Sequence, residues 1–152
     1  MRNDSQDHFS PMRFFSQESL YGMAVMVALA RHEPARPAGI EEIASAQDFP
    51  RSFVAKIIQK LVRGGLVLSS RGRQRGYTLA APPERITARD ILEVTEGAEF
   101  FHHCLFRRRC GNEPACFLHG VGLAIRYDLE SRLGSLTLAD LARGESLERA
   151  IR

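Results

Sequence analysis

The sequence predicts a mostly α fold with one small β-hairpin, and three observations carry that expectation. Apolar residues recur at helical spacing along much of the chain, as at Leu20, Met23, Ala24, Val27 and Ala28. Two short alternating runs, LVLSS and YTLA, flank the Gly-containing basic turn RGRQRG, the pattern of a hairpin. The longest apolar run, LYGMAVMVALA, has charged flanks and is about half the roughly 20 residues a membrane helix needs. At 152 residues, 44% hydrophobic and 26% charged, the chain can form one domain with a real core, or a small domain with an interaction arm.

Residues 1–11 are polar and contain Pro11, so they read as a flexible extension. They hold no hydrophobic segment of signal-peptide kind, which points to a cytoplasmic protein without a membrane partner. A helix is expected from Leu20 to His32, with Ser19 as its N-cap and Pro34 beyond its end. After the loop EPARPAG, Ile40–Gln47 forms a short helix that DFP breaks, because Pro50 cannot continue a helix and favours the start of a new one. That next helix, RSFVAKIIQKLVR, sets Phe53, Val54, Ile57, Ile58 and Leu61 against Lys56, Lys60 and Arg63, and Gly64 and Gly65 stop it. Two short helices joined by a tight turn make a helix-turn-helix, whose second member lies in the major groove. The hairpin Leu66–Ser70 and Tyr77–Ala80 follows at once, and in that position it is a wing. Residues 12–83 are thus expected to form a winged helix-turn-helix.

Charge sharpens this. The net charge of +3 hides a stretch from Arg51 to Arg75 with seven basic residues and no acidic one, whereas from Glu84 onward ten basic residues face eleven acidic ones. Such a block could be only a solvated surface. Its place on a recognition helix and a wing favours double-stranded DNA, since neutralising phosphates releases counterions and supplies sequence-independent affinity. The candidate DNA-binding residues are Arg51, Ser52, Phe53, Lys56 and Lys60 on the helix, with Arg71, Arg73 and Arg75 at the wing tip.

Beyond Pro83, TARDILEVTEG predicts a helix with Thr87 as N-cap, Asp90 as its third-position acid and Gly97 as its C-cap. A long helix is expected from Phe117 to Leu133, where Phe117, Val121, Ile125, Leu129 and Leu133 repeat every four residues beside Leu118. That stripe needs a cover. A second copy of the chain is the economical one, and the chain's own first helix is the alternative. TLADLARG adds a last short helix capped by Thr137. Residues 84–145 are therefore assigned to a cysteine-bearing loop with dimerisation helices, and 146–152 to a tail.

All three cysteines lie in CLFRRRCGNEPACFLH, as Cys104, Cys110 and Cys116, with His119 three residues after the last. An odd number in a reducing compartment argues against a disulfide framework. The five-residue gaps are too wide for a zinc knuckle and suit ligands spread around a cluster. Thiolates are soft ligands for zinc, copper(I) or iron–sulfur clusters, and Arg107, Arg108, Arg109, His102 and His103 would favour the thiolate form. The spacing leaves open an iron–sulfur cluster, a zinc ion or metal-free redox thiols, with His119 as a candidate fourth ligand one turn along. An enzyme finds no support in a nucleophile–base pair, a phosphate loop or a CxxC pair.

These residues together resemble a known family, the iron–sulfur winged-helix transcriptional regulators of bacteria that include IscR, NsrR and RirA. The resemblance runs through MRFFSQESLYGMAVMVALA, FVAKIIQKLVRGGLVLSSRGRQRGYTLA, ITARDILEVTEG, the three cysteines and TLADL, covering residues 12 to about 142. It implies a homodimeric regulator, a repressor, whose two winged heads read a pseudo-palindromic operator with recognition helices about one helical turn, roughly 34 Å, apart. It implies one cluster per subunit, [2Fe–2S] in preference to [4Fe–4S], held by Cys104, Cys110, Cys116 and a variable fourth ligand. His119 matches the histidine of the IscR-like members. In other members an acidic residue of the partner's N-terminal segment serves, for which Glu18 and, by alignment, Ser19 stand nearest. A zinc-bound or metal-free thiol regulator is the alternative. Two departures are visible: Arg75 replaces a glycine in the RGxxGGY wing, and Ala55 replaces a longer polar side chain that reads bases in some members.

Overall fold

The computed structural model describes residues 15–33, 36–72, 75–102 and 118–144. Six α-helices and one hairpin follow in order among them: α1 (Gln17–Arg31), α2 (Ile40–Gln47), α3 (Arg51–Arg63), β1 (Val67–Ser70), β2 (Gly76–Leu79), α4 (Ala88–Glu96), α5 (His119–Ser135) and α6 (Leu138–Arg143). Short 3-10 turns stand at Pro83–Arg85 and Phe100–His102. The mostly α fold with a two-stranded antiparallel hairpin is the one expected. The terminal segments expected at 1–11 and 146–152 lie outside the described residues.

The helix starts are set by local chemistry, with one correction. α1 begins at Gln17 and not at Leu20, because Ser16 is its N-cap: Ser16 Oγ accepts from the Ser19 N–H at 3.2 Å. Ser19, expected to cap, is instead wholly buried inside the helix. α4 and α6 start as expected on reciprocal capping boxes. The Thr87 N–H donates to Asp90 Oδ2 at 2.8 Å and the Thr137 N–H to Asp140 Oδ2 at 3.1 Å. Between α2 and α3 the chain reverses at Asp48, whose φ of 52° is left-handed, and Pro50 then precedes the first turn of α3.

The hairpin pairs Val67 with Leu79 and Ser70 with Gly76, one residue displaced from the expected strands. Reciprocal hydrogen bonds of 2.9 Å between Ala38 and Tyr77 tie the α1–α2 connection to its base. The core gathers Val25 and Met26 of α1, Val54, Ile57, Ile58 and Leu61 of α3, Val67, Ile91 of α4 and Leu138 of α6, so it draws on both sides of Pro83. Two glycines let α4 approach closely. A Cβ on Gly22 would stand 2.7 Å from Thr95 Cγ2, and one on Gly64 would stand 2.5 Å from the Val94 methyls.

The chain is stitched where α4 and α6 begin: the Leu138 N–H donates to Ile86 O at 2.7 Å and the Ala88 N–H to Leu136 O at 2.8 Å. α5 leans on α4 through the Arg89–Glu130 ion pair of 2.9 Å. Gly122 is its only buried position, and the expected apolar stripe lies open at Val121 and Ile125, 52% and 43% exposed. No helix among the described residues is long and apolar enough to cross a membrane.

Candidate nucleic-acid interface and the segment behind it

The buried residues of α3 define one face of the helix, and Ser52 and Lys56 stand exposed on the opposite one. Gln59 shares that face, seven residues after Ser52 and three after Lys56, and is exposed; its uncharged side chain gave no place to it in a search for basic residues, although the spacing shows it. Arg51 opens α3 and pairs with Glu41 at 2.7 Å, with both side chains about two-thirds exposed, so the pair yields readily to a phosphate. Phe53 is only 37% exposed, and its ring meets the edge of Tyr21 at 4.8 Å, which in turn meets Phe49 at 4.4 Å. That trio braces the start of α3 against α1 and the turn. At the wing, pairing ends at Ser70–Gly76, with Arg71 and Arg75 exposed on either side of the tip. Arg73 lies outside the described residues.

Lys60 departs from this surface. Although grouped with the DNA-facing cations by sequence, its ammonium donates to the Thr95 carbonyl at 2.6 Å and pairs with Glu18 at 3.1 Å. Beside it Ser19 Oγ donates to Glu96 Oε1 at 2.6 Å and lies 2.8 Å from Thr95 Oγ1, while the Ser16 N–H donates to the same Glu96 oxygen at 2.5 Å. The N-terminus of α1, the last turn of α3 and the C-terminus of α4 therefore meet in one polar junction. Glu18 and Ser19 both have partners there, Glu18 with a side chain 44% exposed and Ser19 with its hydroxyl wholly buried.

From this junction the chain runs toward the cysteines along a fastened path. Phe100 lies 5.9 Å from Phe15 and 5.0 Å from Phe101, and the buried Phe101 ring sits under the Arg89 guanidinium at 5.7 Å. Arg89 binds Glu93 at 2.8 Å as well as Glu130, and the Glu93 hydrogen bond holds its guanidinium above the ordinary arginine range, with burial opposing and nearby carboxylates assisting. Arg126 of α5 donates to the His102 carbonyl at 3.4 Å. That carbonyl is two residues before Cys104, and Arg126 is seven residues, about 10 Å of helical rise, from His119. Cys104, Cys110 and Cys116 lie outside the described residues. His119 is the half-buried first residue of α5. No group of three metal-ligating side chains occurs among the described residues.

The comparisons with known proteins fit this layout. The family model Rrf2, described as an iron-dependent transcriptional regulator, matches residues 15–144. The HTH-type transcriptional regulator CymR of Bacillus subtilis is 32% identical over 127 residues, covering 84% of this chain and 88% of that one. Its solved structure, described as that of the global cysteine regulator, superposes with a TM-score of 0.71 at 29% identity, covering 85% of this chain and 95% of that chain. The solved IscR of T. potens superposes with a TM-score of 0.71 at 30% identity, covering 86% and 87%.

Proposed function

The chain belongs to the Rrf2 family of transcriptional regulators, the IscR-like group, and from that premise we propose that it is a homodimeric repressor whose operator affinity is set by an iron–sulfur cluster. DNA binding follows from the family; its relatives are named as regulators and not as enzymes. Ser52, Lys56 and Gln59 stand to read the major groove, where a glutamine side chain can pair with adenine, and Arg51, Arg71, Arg73 and Arg75 stand to hold phosphates. Phe53 braces the helix. The dimer forms through the open face of α5 at Val121 and Ile125, and the protein works in the cytoplasm on a pseudo-palindromic site.

One observation carries the cluster: a chain matched by an iron-dependent regulator family brings three cysteines and His119 in the segment that joins α4 to α5. The donor set fits. Three thiolates are soft ligands, His119 offers an imidazole at the start of α5, and Arg126, two turns into α5, reaches the His102 carbonyl just before the segment. When bound, a [2Fe–2S] or [4Fe–4S] centre supplies chemistry sensitive to oxidants, nitric oxide or iron supply. The likeness to a global cysteine regulator, as strong as that to IscR, favours one second reading, in which the same thiols act with zinc or without metal.

Iron and acid-labile sulfide per monomer after anaerobic reconstitution separate the two. Both present, and both lost in Cys110→Ala with the dimer intact, supports the cluster. Zinc without sulfide, or neither metal, overturns it in favour of the second reading.

A further inference from the structure

One cation of the recognition helix faces inward. Lys60 lies at the rim of the buried face of α3, beside Ile57 and Leu61, with its side chain 32% exposed. Its two partners, the Thr95 carbonyl and Glu18, account for its direction. The Thr95 carbonyl is among the last four of α4, which the helix leaves without an internal donor and which carry the negative end of its dipole. Glu18 neutralises the charge from the α1 side. The complementary arrangement stands at the start of α1, where the Glu96 carboxylate accepts from the Ser16 N–H at the positive end of that helix. Gly22 adds contact without bulk, since its missing side chain is what lets α1 lie on the Thr95 methyl.

Thr95 stands nine residues before Cys104, and the intervening turn is pinned by Phe100, Phe101 and Arg89. The link from the cysteine segment to α3 is therefore short and made of packed side chains. We propose that Lys60 is a positioning residue: it clamps the recognition helix to the end of α4, so that a change in the cysteine segment alters how α3 is set against DNA, and it does not itself neutralise a phosphate. The role in signalling rests on the proposed function above. An ammonium already shared between a carboxylate and a helix-terminal carbonyl has little left for a phosphate. A ligand state in the segment changes DNA affinity only through an element whose position differs between the two states, and this junction is where such an element touches α3.

The test uses the full-length dimer, an operator duplex selected from a random-sequence pool by the wild-type chain, and an unrelated duplex of equal length. Binding is followed by fluorescence anisotropy over a salt series, on anaerobically reconstituted and on metal-stripped protein. Lys60→Met is expected to keep the wild-type slope of log Kd against log salt. It is expected to lose about fivefold or more of both the operator preference and the affinity ratio between the two states. Lys56→Met, the control on the outward face, is expected to lower the slope by about one. Lys60→Arg, which can still donate to Thr95, should restore the preference.

A Lys60→Met slope lower by about one, or unchanged preference and state ratio, overturns the clamp. Should that variant fail to fold, Glu18→Gln, which leaves the Thr95 contact in place, carries the same test: a reduced preference supports the clamp and a wild-type preference overturns it. A wild-type protein with equal affinity in both states would sink the sensing function, while slope and preference would still judge the clamp.

Discussion

Gly22→Ala offers a direct measure of how closely α1 and α4 are fitted. The added methyl would meet Thr95 Cγ2 at 2.7 Å, short of the 3.5–4.0 Å optimum between carbons by about 0.8–1.3 Å. Thr95 cannot swing aside freely, because its hydroxyl donates to the Ile91 carbonyl at 2.9 Å and lies 2.8 Å from Ser19 Oγ. The helices must then part, at the ~1–3 kcal/mol typical of overpacking. Alanine in a helix interior returns ~1 kcal/mol of that through lower backbone entropy. An overlap of this size puts the cost in the upper part of that range, ~2–3 kcal/mol, so the expected net loss is about 1–2 kcal/mol, or roughly 2–8 °C in Tm for a chain of this length, read by circular dichroism at fixed protein concentration. Thr95→Ser removes only the offending methyl, so the double variant should recover most of the loss, with a coupling of about 1 kcal/mol. If Gly22→Ala matched or exceeded the wild type in stability, or if the two changes were simply additive, the close approach would not exist in solution.

Other outcomes follow from the same contacts. Arg71→Ala and Arg75→Ala should each weaken binding to any duplex and reduce the salt slope by about one, measured by anisotropy over a salt series. Ile125→Glu places a charge on the open face of α5 and should yield monomers by light scattering, with operator affinity falling and the circular dichroism spectrum unchanged. Asp140 gives a pH signature. Its carboxyl is held below the ordinary 3.8, first by the Thr137 hydroxyl, then by the Thr137 N–H and Arg143. The folded state thus binds the proton less readily than the unfolded one, so the stabilisation is present above the ordinary value and disappears as pH falls through the lowered one. Asp140→Asn should be less stable than wild type at neutral pH by urea denaturation, and the gap should narrow as pH falls below the ordinary 3.8.

What the sequence revealed depended on whether the deciding partner was near in the chain. The caps at Thr87 and Thr137 were legible because each box closes within four residues. At α1 two serines three apart offered the same local signature, and the choice of Ser16 is made by Glu96 and Thr95, far along the chain, which give Ser19 a buried use. The inward partners of Lys60 were hidden for the same reason. A basic run looks uniform in sequence, yet Lys56 and Ser52 point away from the buried stripe while Lys60 stands at its edge, within reach of a helix end 35 residues on. Gln59 was overlooked through attention to charge. The cysteine spacing suggested a ligand set without choosing among cluster, zinc and free thiols, because neither periodicity nor propensity governs such a segment, and the three cysteines lie outside the described residues.

The stitch joining residues 86–88 to 136–138 has a consequence for how two helix starts are aligned. The chain that leaves the end of α4 returns, after α5, to backbone partners beside the start of α4, so the first turns of α4 and α6 are held in register by main-chain bonds that do not depend on which side chains they carry.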